Sequence, residues 1–152
     1  MLNENDRELI SHSVLCWLST ASAEGKPNVS PKEIFALQDN QLLIANIASR
    51  GSARNVKQNH RACVAFLNIF RQKGVQVHGT AEVITKADER FAQLATPLFE
   101  LAGDDFPFSS LFLITPESVK PIIAPRYRLF PETTESDQIA SAMLTYNVRP
   151  AD

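Results

Sequence analysis

Two hydroxyls and two guanidiniums fall within one short run of this chain, Ser49-Arg50-Gly51-Ser52-Ala53-Arg54. A phosphate group suits that set. Guanidinium forks pair with its oxygens two at a time, short hydroxyls donate to it, and the free amides of a helix start supply a positive dipole end. Gly51 lets the backbone approach a ligand closely. Taken alone, these residues fit two descriptions equally: a phosphate-binding turn, or a capped surface helix with spare arginines.

The charge pattern favours a discrete anion. The net charge is -2, yet residues 40–81 hold Arg50, Arg54, Lys57, Arg61, Arg71 and Lys73 and no acidic residue, which leaves 9 basic and 17 acidic groups elsewhere. A local positive field on an acidic chain fits a small anionic ligand better than a long polyanion, so nucleic acid is not expected as a partner. Other chemistry is missing. The 5 glycines form neither a dinucleotide fingerprint nor a P-loop. No nucleophile elbow and no zinc-protease helix motif occurs. His12, His60 and His78 stand at no metal-ligand spacing, so no metal is expected, and Asp104-Asp105 and Glu132/Glu135 read as solvated loop carboxylates. Any catalysis then rests on a cofactor.

The elements that must position the run follow from periodicity and turn residues. A short helix is expected over 6–11, capped from Asn3 or Asn5. Strands are expected over 14–22, 28–37 and 42–48, joined by Glu24-Gly25-Lys26-Pro27 and Gln38-Asp39-Asn40-Gln41 into a three-stranded meander, with Pro31 demanding an edge or a bulge. Ser52 would cap a helix over 53–58. Strands return over 62–70 and 74–84, the second alternating Val75, Val77, Gly79, Ala81 and Val83 on one face. A helix over 88–101 presents Phe91, Leu94, Ala95 and Leu98, with Pro97 expected to kink or break it. A last strand over 111–114 and 119–123, bulged near Thr115-Pro116, and a helix over 137–146 complete the chain. Trp17 and most of the 9 phenylalanines read as core. The apolar stretch 106–114 either packs under the 88–101 helix or lies in a subunit seam. The fold class is therefore mainly β: one domain over 1–152, a closed or split barrel of meander and Greek-key strands with flanking helices.

Composition agrees with a globular domain: 152 residues, 44% hydrophobic and 21% charged. Cys16 and Cys63 lie apart in apolar runs, as small core fillers in a reducing compartment. No apolar stretch is long enough for a membrane helix. The opening MLNENDREL is mixed in charge, unlike a secretory leader. A cytoplasmic protein with no membrane association is expected, and the sequon Asn28-Val29-Ser30 then reads as accidental.

The order of these pieces resembles the pyridoxamine 5'-phosphate oxidase-like, FMN-binding split-barrel family. The stretches GKPNVSPKEIFALQDNQLLIANIASRGSARNVKQNHRACVAF and GVQVHGTAEVI carry the resemblance, over about half the chain. It implies FMN as cofactor, with Ser49, Arg50, Ser52 and Arg54 on its phosphate. It implies Ser30, Pro31, Lys32, Glu33, Ala45, Asn46 and Ile47 along the ring and ribityl chain. It further implies a homodimer with flavin in clefts between subunits, where residues 73–76, Lys73 and Gln76 among them, face the flavin from the partner chain. The implied activity is that of an oxidoreductase on a small-molecule substrate. Vitamin B6 oxidation is not implied: the true oxidases end in a basic segment that grips substrate phosphate, whereas here the end is ASAMLTYNVRPAD, with Arg149 its only basic residue. Arg126, Tyr127 and Arg128 either approach the flavin edge or pin the tail. Alternatives from other classes are a flavin- or haem-binding module without catalysis, and a single-stranded nucleic-acid binder stacking bases on Phe66 and Phe70.

Overall fold

The computed structural model describes residues 2–150. Helix α1 (Glu4–Ser11) opens on a capping box in which the Asn3 side chain accepts from the Asp6 N–H at 2.9 Å and the Asp6 carboxylate accepts from the Asn3 N–H. Strands β1 (Cys16–Ala21), β2 (Pro27–Lys32), β3 (Phe35–Gln38) and β4 (Gln41–Ala45) follow, then helix α2 (Arg50–Gln58). The long hairpin of β5 (Arg61–Asn68) and β6 (Lys73–Thr85) leads to helix α3 (Phe91–Ala102) and strand β7 (Ser110–Ile123). A short α4 (Pro125–Leu129) and α5 (Glu135–Tyr146) end the described chain.

The strands form one antiparallel seven-stranded sheet in the order β2-β1-β5-β6-β7-β4-β3. The strand expected over 28–37 is therefore two strands on opposite edges, and the expected three-stranded meander does not form. Geometry then fixes the shape. Laid flat, seven strands would separate β2 from β3 by roughly 29 Å. Lys32 and Phe35 are joined by a chain that spans at most about 11 Å. The sheet must curl until its edges meet, and it does so as a split barrel. Pro31 sits on β2, an edge strand, where a missing N–H leaves no ladder bond unmade.

The curl makes two cores. Leu18, Leu42, Ile44, Val64, Phe66, Val77, Phe112 and Ile114 fill its inside. Leu43, Ala45, Ile84, Leu111 and Leu113 face the other way, under Leu94, Ala95 and Leu98 of α3. The run Leu42–Ala45 is buried throughout because β4 has a core on each face. Helix α3 continues through Pro97 rather than breaking. The carbonyl deprived of its partner belongs to Gln93, which is exposed to water. Phe108 stacks on Phe99 at 4.4 Å and lies with Leu111 and Leu113 in the α3 core, while Phe112 and Ile114 face the inner core and Phe106 is exposed. Strand β7 carries its irregularity at Glu117, between the His78–Ser118 and Gly79–Pro116 pairs, close to the expected position. Trp17, expected in the core, is 45% exposed on the outer face of β1. No helix among the described residues is long and apolar enough to cross a membrane.

Candidate functional site

The curl brings three pieces together: the end of β2, the end of β4 and the start of α2. On β2, Asn28, Ser30 and Lys32 alternate with Val29 and Pro31 and turn away from solvent together. Lys32 is only 7% exposed. Its ammonium donates to Ser30 Oγ at 2.8 Å and to Ser49 Oγ, and those two hydroxyls lie 3.2 Å apart. Among the described residues no carboxylate pairs with it. Burial holds the Lys32 ammonium below the usual lysine range. A buried cation solvated only by hydroxyls is costly unless an anion completes it.

Helix α2 begins beside that cation. Its first intrahelical bond runs from the Ala53 N–H to the Ser49 carbonyl, at 2.9 Å. The helix thus starts a turn earlier than expected, and Ser52 lies inside it, 2% exposed, rather than at its cap. Ser49 occupies the cap position but makes no side-chain cap bond, because its hydroxyl is turned to Lys32. The N–H groups of Arg50, Gly51 and Ser52 therefore have no protein acceptor among the described residues. Beyond its chain neighbours and the backbone of its own helix, nothing lies within 4 Å of the position a Cβ on Gly51 would take. Arg50 and Arg54 are exposed and make no ion pair among the described residues.

A polar layer behind the turn escaped sequence reasoning. Asn28 Nδ2 donates to Ser52 Oγ at 3.1 Å, and Asn55 Nδ2 donates to Thr20 Oγ1 at 3.1 Å. The sign of it in the sequence was the polar run Asn28, Ser30, Lys32 at every second position. Asn46 orders the approach to the turn: its Oδ1 accepts from the Ser49 N–H at 3.2 Å and its Nδ2 donates to Ser110 Oγ at 3.0 Å. Ala45 is buried, and its N–H donates to the Ile34 carbonyl, tying β4 to the β2–β3 link. Glu33, Pro31 and Ile47 are exposed around this junction.

Lys73 and Gln76 lie elsewhere in the same chain. Gln76 sits on the outer sheet surface in the cross-strand row Pro31, Trp17, Ala65, Gln76. The Lys73 ammonium donates to Glu135 Oε1 at 2.8 Å and lies 4.5 Å above the centre of the Tyr127 ring. Tyr127 Oη in turn donates to the Arg71 carbonyl at 2.8 Å, so Tyr127 pins the tail. Cys63 Sγ is 3.8 Å from His78 Nε2, and no cluster that could hold a metal ion occurs among the described residues. Phe66 is fully buried, edge-on to Phe35, and offers no surface to a nucleic-acid base.

The curled sheet, with an uncapped helix start and a buried cation where its edges meet, defines a split β-barrel carrying an anion-ready turn. The chain belongs to the pyridoxamine 5'-phosphate oxidase-like, FMN-binding split-barrel family: the family profile described as pyridoxamine 5'-phosphate oxidase matches residues 2–123. Among curated proteins, none matches. Solved structures share the fold. A single-site variant of HupZ from Group A Streptococcus superposes with a TM-score of 0.68 at 22% identity, over 80% of this chain and 100% of that one. An FMN-binding protein from Syntrophomonas wolfei gives 0.66 at 17% identity, over 80% and 86%. HutZ of Vibrio cholerae, described as a haem storage protein, gives 0.64 at 19% identity, over 81% and 95%.

Proposed function

We propose that this protein binds FMN at the turn between β4 and α2 and acts as an FMN-dependent oxidoreductase on a small molecule. The observation that carries the reading is Lys32, a buried ammonium with hydroxyls around it and no acidic partner, beside three free helix amides. A phosphate supplies the missing charge. Ser49 Oγ accepts from Lys32 and Ser52 Oγ accepts from Asn28, so each hydroxyl keeps its own proton to donate. Arg50 and Arg54 are exposed on the first turns of the same helix and are assigned to the phosphate from outside, and Gly51 leaves room. Ser30, Pro31, Lys32 and Glu33 on one side and Ala45, Asn46 and Ile47 on the other form the walls for ribityl chain and ring. FMN, when bound, supplies hydride transfer; the chain's own groups bind, orient and neutralise.

These walls belong to one side of a cleft. The second side is assigned to a second copy of the chain, in a homodimer. In support, the outer face of β1, β2 and β5 exposes Trp17, Val29 at 59% and Leu67 at 41%, an apolar surface continuous with Pro31. Gln76 lies in that same row, which supports its assignment to the partner's flavin. Lys73 pairs with Glu135 in this chain, and its assignment to the partner's flavin has the ammonium leave that partly exposed pair.

Purified protein tests the reading. It should be yellow, and denaturation should release FMN and no FAD. Colourless protein that fails to take up FMN at micromolar concentration overturns the proposal. A Soret band in place of flavin bands would move the protein to haem binding, as in the storage protein of the same fold.

A further inference from the structure

A cleft of 480 Å³, away from the phosphate turn, lies between α1, the β5–β6 turn, the end of β7 and the start of α5. That volume falls within the range of small-molecule pockets. Leu9, Ile122 and Ile123 give it an apolar side, and Arg71 and Lys73 a cationic one. Glu8 stands exposed on the α1 wall. A single carboxylate, Glu135, meets both cations, 3.5 Å from Arg71 Nε and 2.8 Å from Lys73 Nζ.

Glu135 comes from the segment beyond the residues the family profile covers. Within that segment, α5 is thinly seated. Of α5 only Gln138 and Ala142 are buried, and Gln138 Oε1 is buried without a hydrogen-bond partner. An orphaned buried acceptor works against docking and is relieved when the helix lifts. The ion pairs that hold the helix down are half exposed, and such pairs contribute little.

We propose that this cleft binds a small organic carboxylate with an apolar body, whose carboxylate takes the place of Glu135 on Arg71 and Lys73. The exchange replaces one carboxylate by another on the same two cations, so the charge interaction is nearly conserved. The ligand then adds burial of its apolar body against Leu9, Ile122 and Ile123, which Glu135 does not provide. Tyr127, under the Lys73 ammonium and bonded to the Arg71 carbonyl, keeps the cationic wall in place when α5 leaves. The cleft shares no residue with the phosphate turn, so a phosphate bound elsewhere leaves it untouched; Lys73 is common to the cleft and to the 73–76 run assigned to the partner's flavin.

Hexanoate is a suitable probe, titrated calorimetrically into the full chain and into Glu135→Gln. The variant removes the internal competitor and should bind hexanoate about tenfold more tightly or better. Uncharged hexanamide should not bind, Arg71→Gln/Lys73→Gln should abolish binding, and hexanoate should speed hydrogen exchange over residues 135–146. The Arg54→Ala variant should bind hexanoate as the wild type does. Absence of binding to both wild type and Glu135→Gln at millimolar hexanoate overturns the proposal. So does equal affinity in the two, or binding that survives loss of Arg71 and Lys73.

Discussion

Replacing Lys32 with Met should move two properties in opposite directions. In the protein without ligand, Lys32 is a cation at 7% exposure with no acidic partner. Met keeps the length and apolar stem and removes the charge. Ser30 and Ser49, already 3.2 Å apart, bond to each other and are not orphaned. The ligand-free protein should therefore gain about 1 kcal/mol or more, a rise in Tm of roughly 2–4 °C for a chain of this size. FMN binding should weaken, because a charge-assisted phosphate contact is worth about 1.5–3 kcal/mol, or roughly 10- to 150-fold in affinity. Linkage turns this into a thermal readout. At FMN equal to 100 times the wild-type Kd, the cofactor stabilises the wild type by about 2.7 kcal/mol. After a hundredfold loss the same FMN stabilises the variant by only about 0.4 kcal/mol. Melting curves with and without FMN, alongside quenching of flavin fluorescence, measure both halves. A variant that melts lower without ligand and binds FMN within twofold of wild type would show Lys32 to be a structural lysine and refute the reasoning.

Arg54→Ala should weaken FMN by roughly 10- to 150-fold and leave riboflavin, which lacks the phosphate, unaffected; equal losses for both flavins would place the phosphate elsewhere. Burial pushes the Cys16 thiol up to about 12, opposed by the nearby Lys32 charge. An unfolded thiol ionises near pH 8.5, so the Cys16 contribution to stability is intact below that pH and is lost as pH rises toward 12. Denaturant midpoints measured from pH 8 to 11 should fall in wild type and fall less in Cys16→Ala. Labelling of native protein should reach half-buried Cys63 before Cys16. If FMN lies in a shared cleft, it should tighten self-association by mass action, which sedimentation across a dilution series reads; a monomer that holds FMN at full affinity would remove the shared cleft and leave flavin binding standing.

Where local periodicity carried the information, the sequence was readable. The apolar run of β4 and the Phe91, Leu94, Ala95, Leu98 face of α3 each encode their own burial. The division of 28–37 was not readable, because nothing near Glu33 and Ile34 says that the flanking strands pair at opposite ends of a sheet. That depends on β5, β6 and β7 far along the chain. Trp17 misled for a related reason: its neighbours Cys16 and Leu18 point into the core, and alternation sends it outward, whatever its hydrophobicity. At the site, Ser49, Arg50, Ser52 and Arg54 stood out as a polar, basic helix start, which is where α2 begins, but the burial of the Lys32 ammonium was not visible. Lys32 looks like any surface lysine until the curl sets α2 over it. The tail contacts of Tyr127 and Glu135 depend on the same long-range placement.

The strand order has a temporal consequence. Strand β4 pairs with only two others, its hairpin partner β3 and the late strand β7, with Leu42 opposite Ile114. During synthesis the β3–β4 hairpin therefore waits on a ribosome-bound chain with one edge unsatisfied until Ser110–Ile123 has emerged. Isolated hairpins are marginal in water, and pairings across so long a stretch of chain are slow to form. The turn that follows β4 completes its geometry only then, so the proposed binding of FMN there would come at the end of folding. A chain that stalls short of β7 would present β4, its most apolar strand, as a bare edge for another copy to add to.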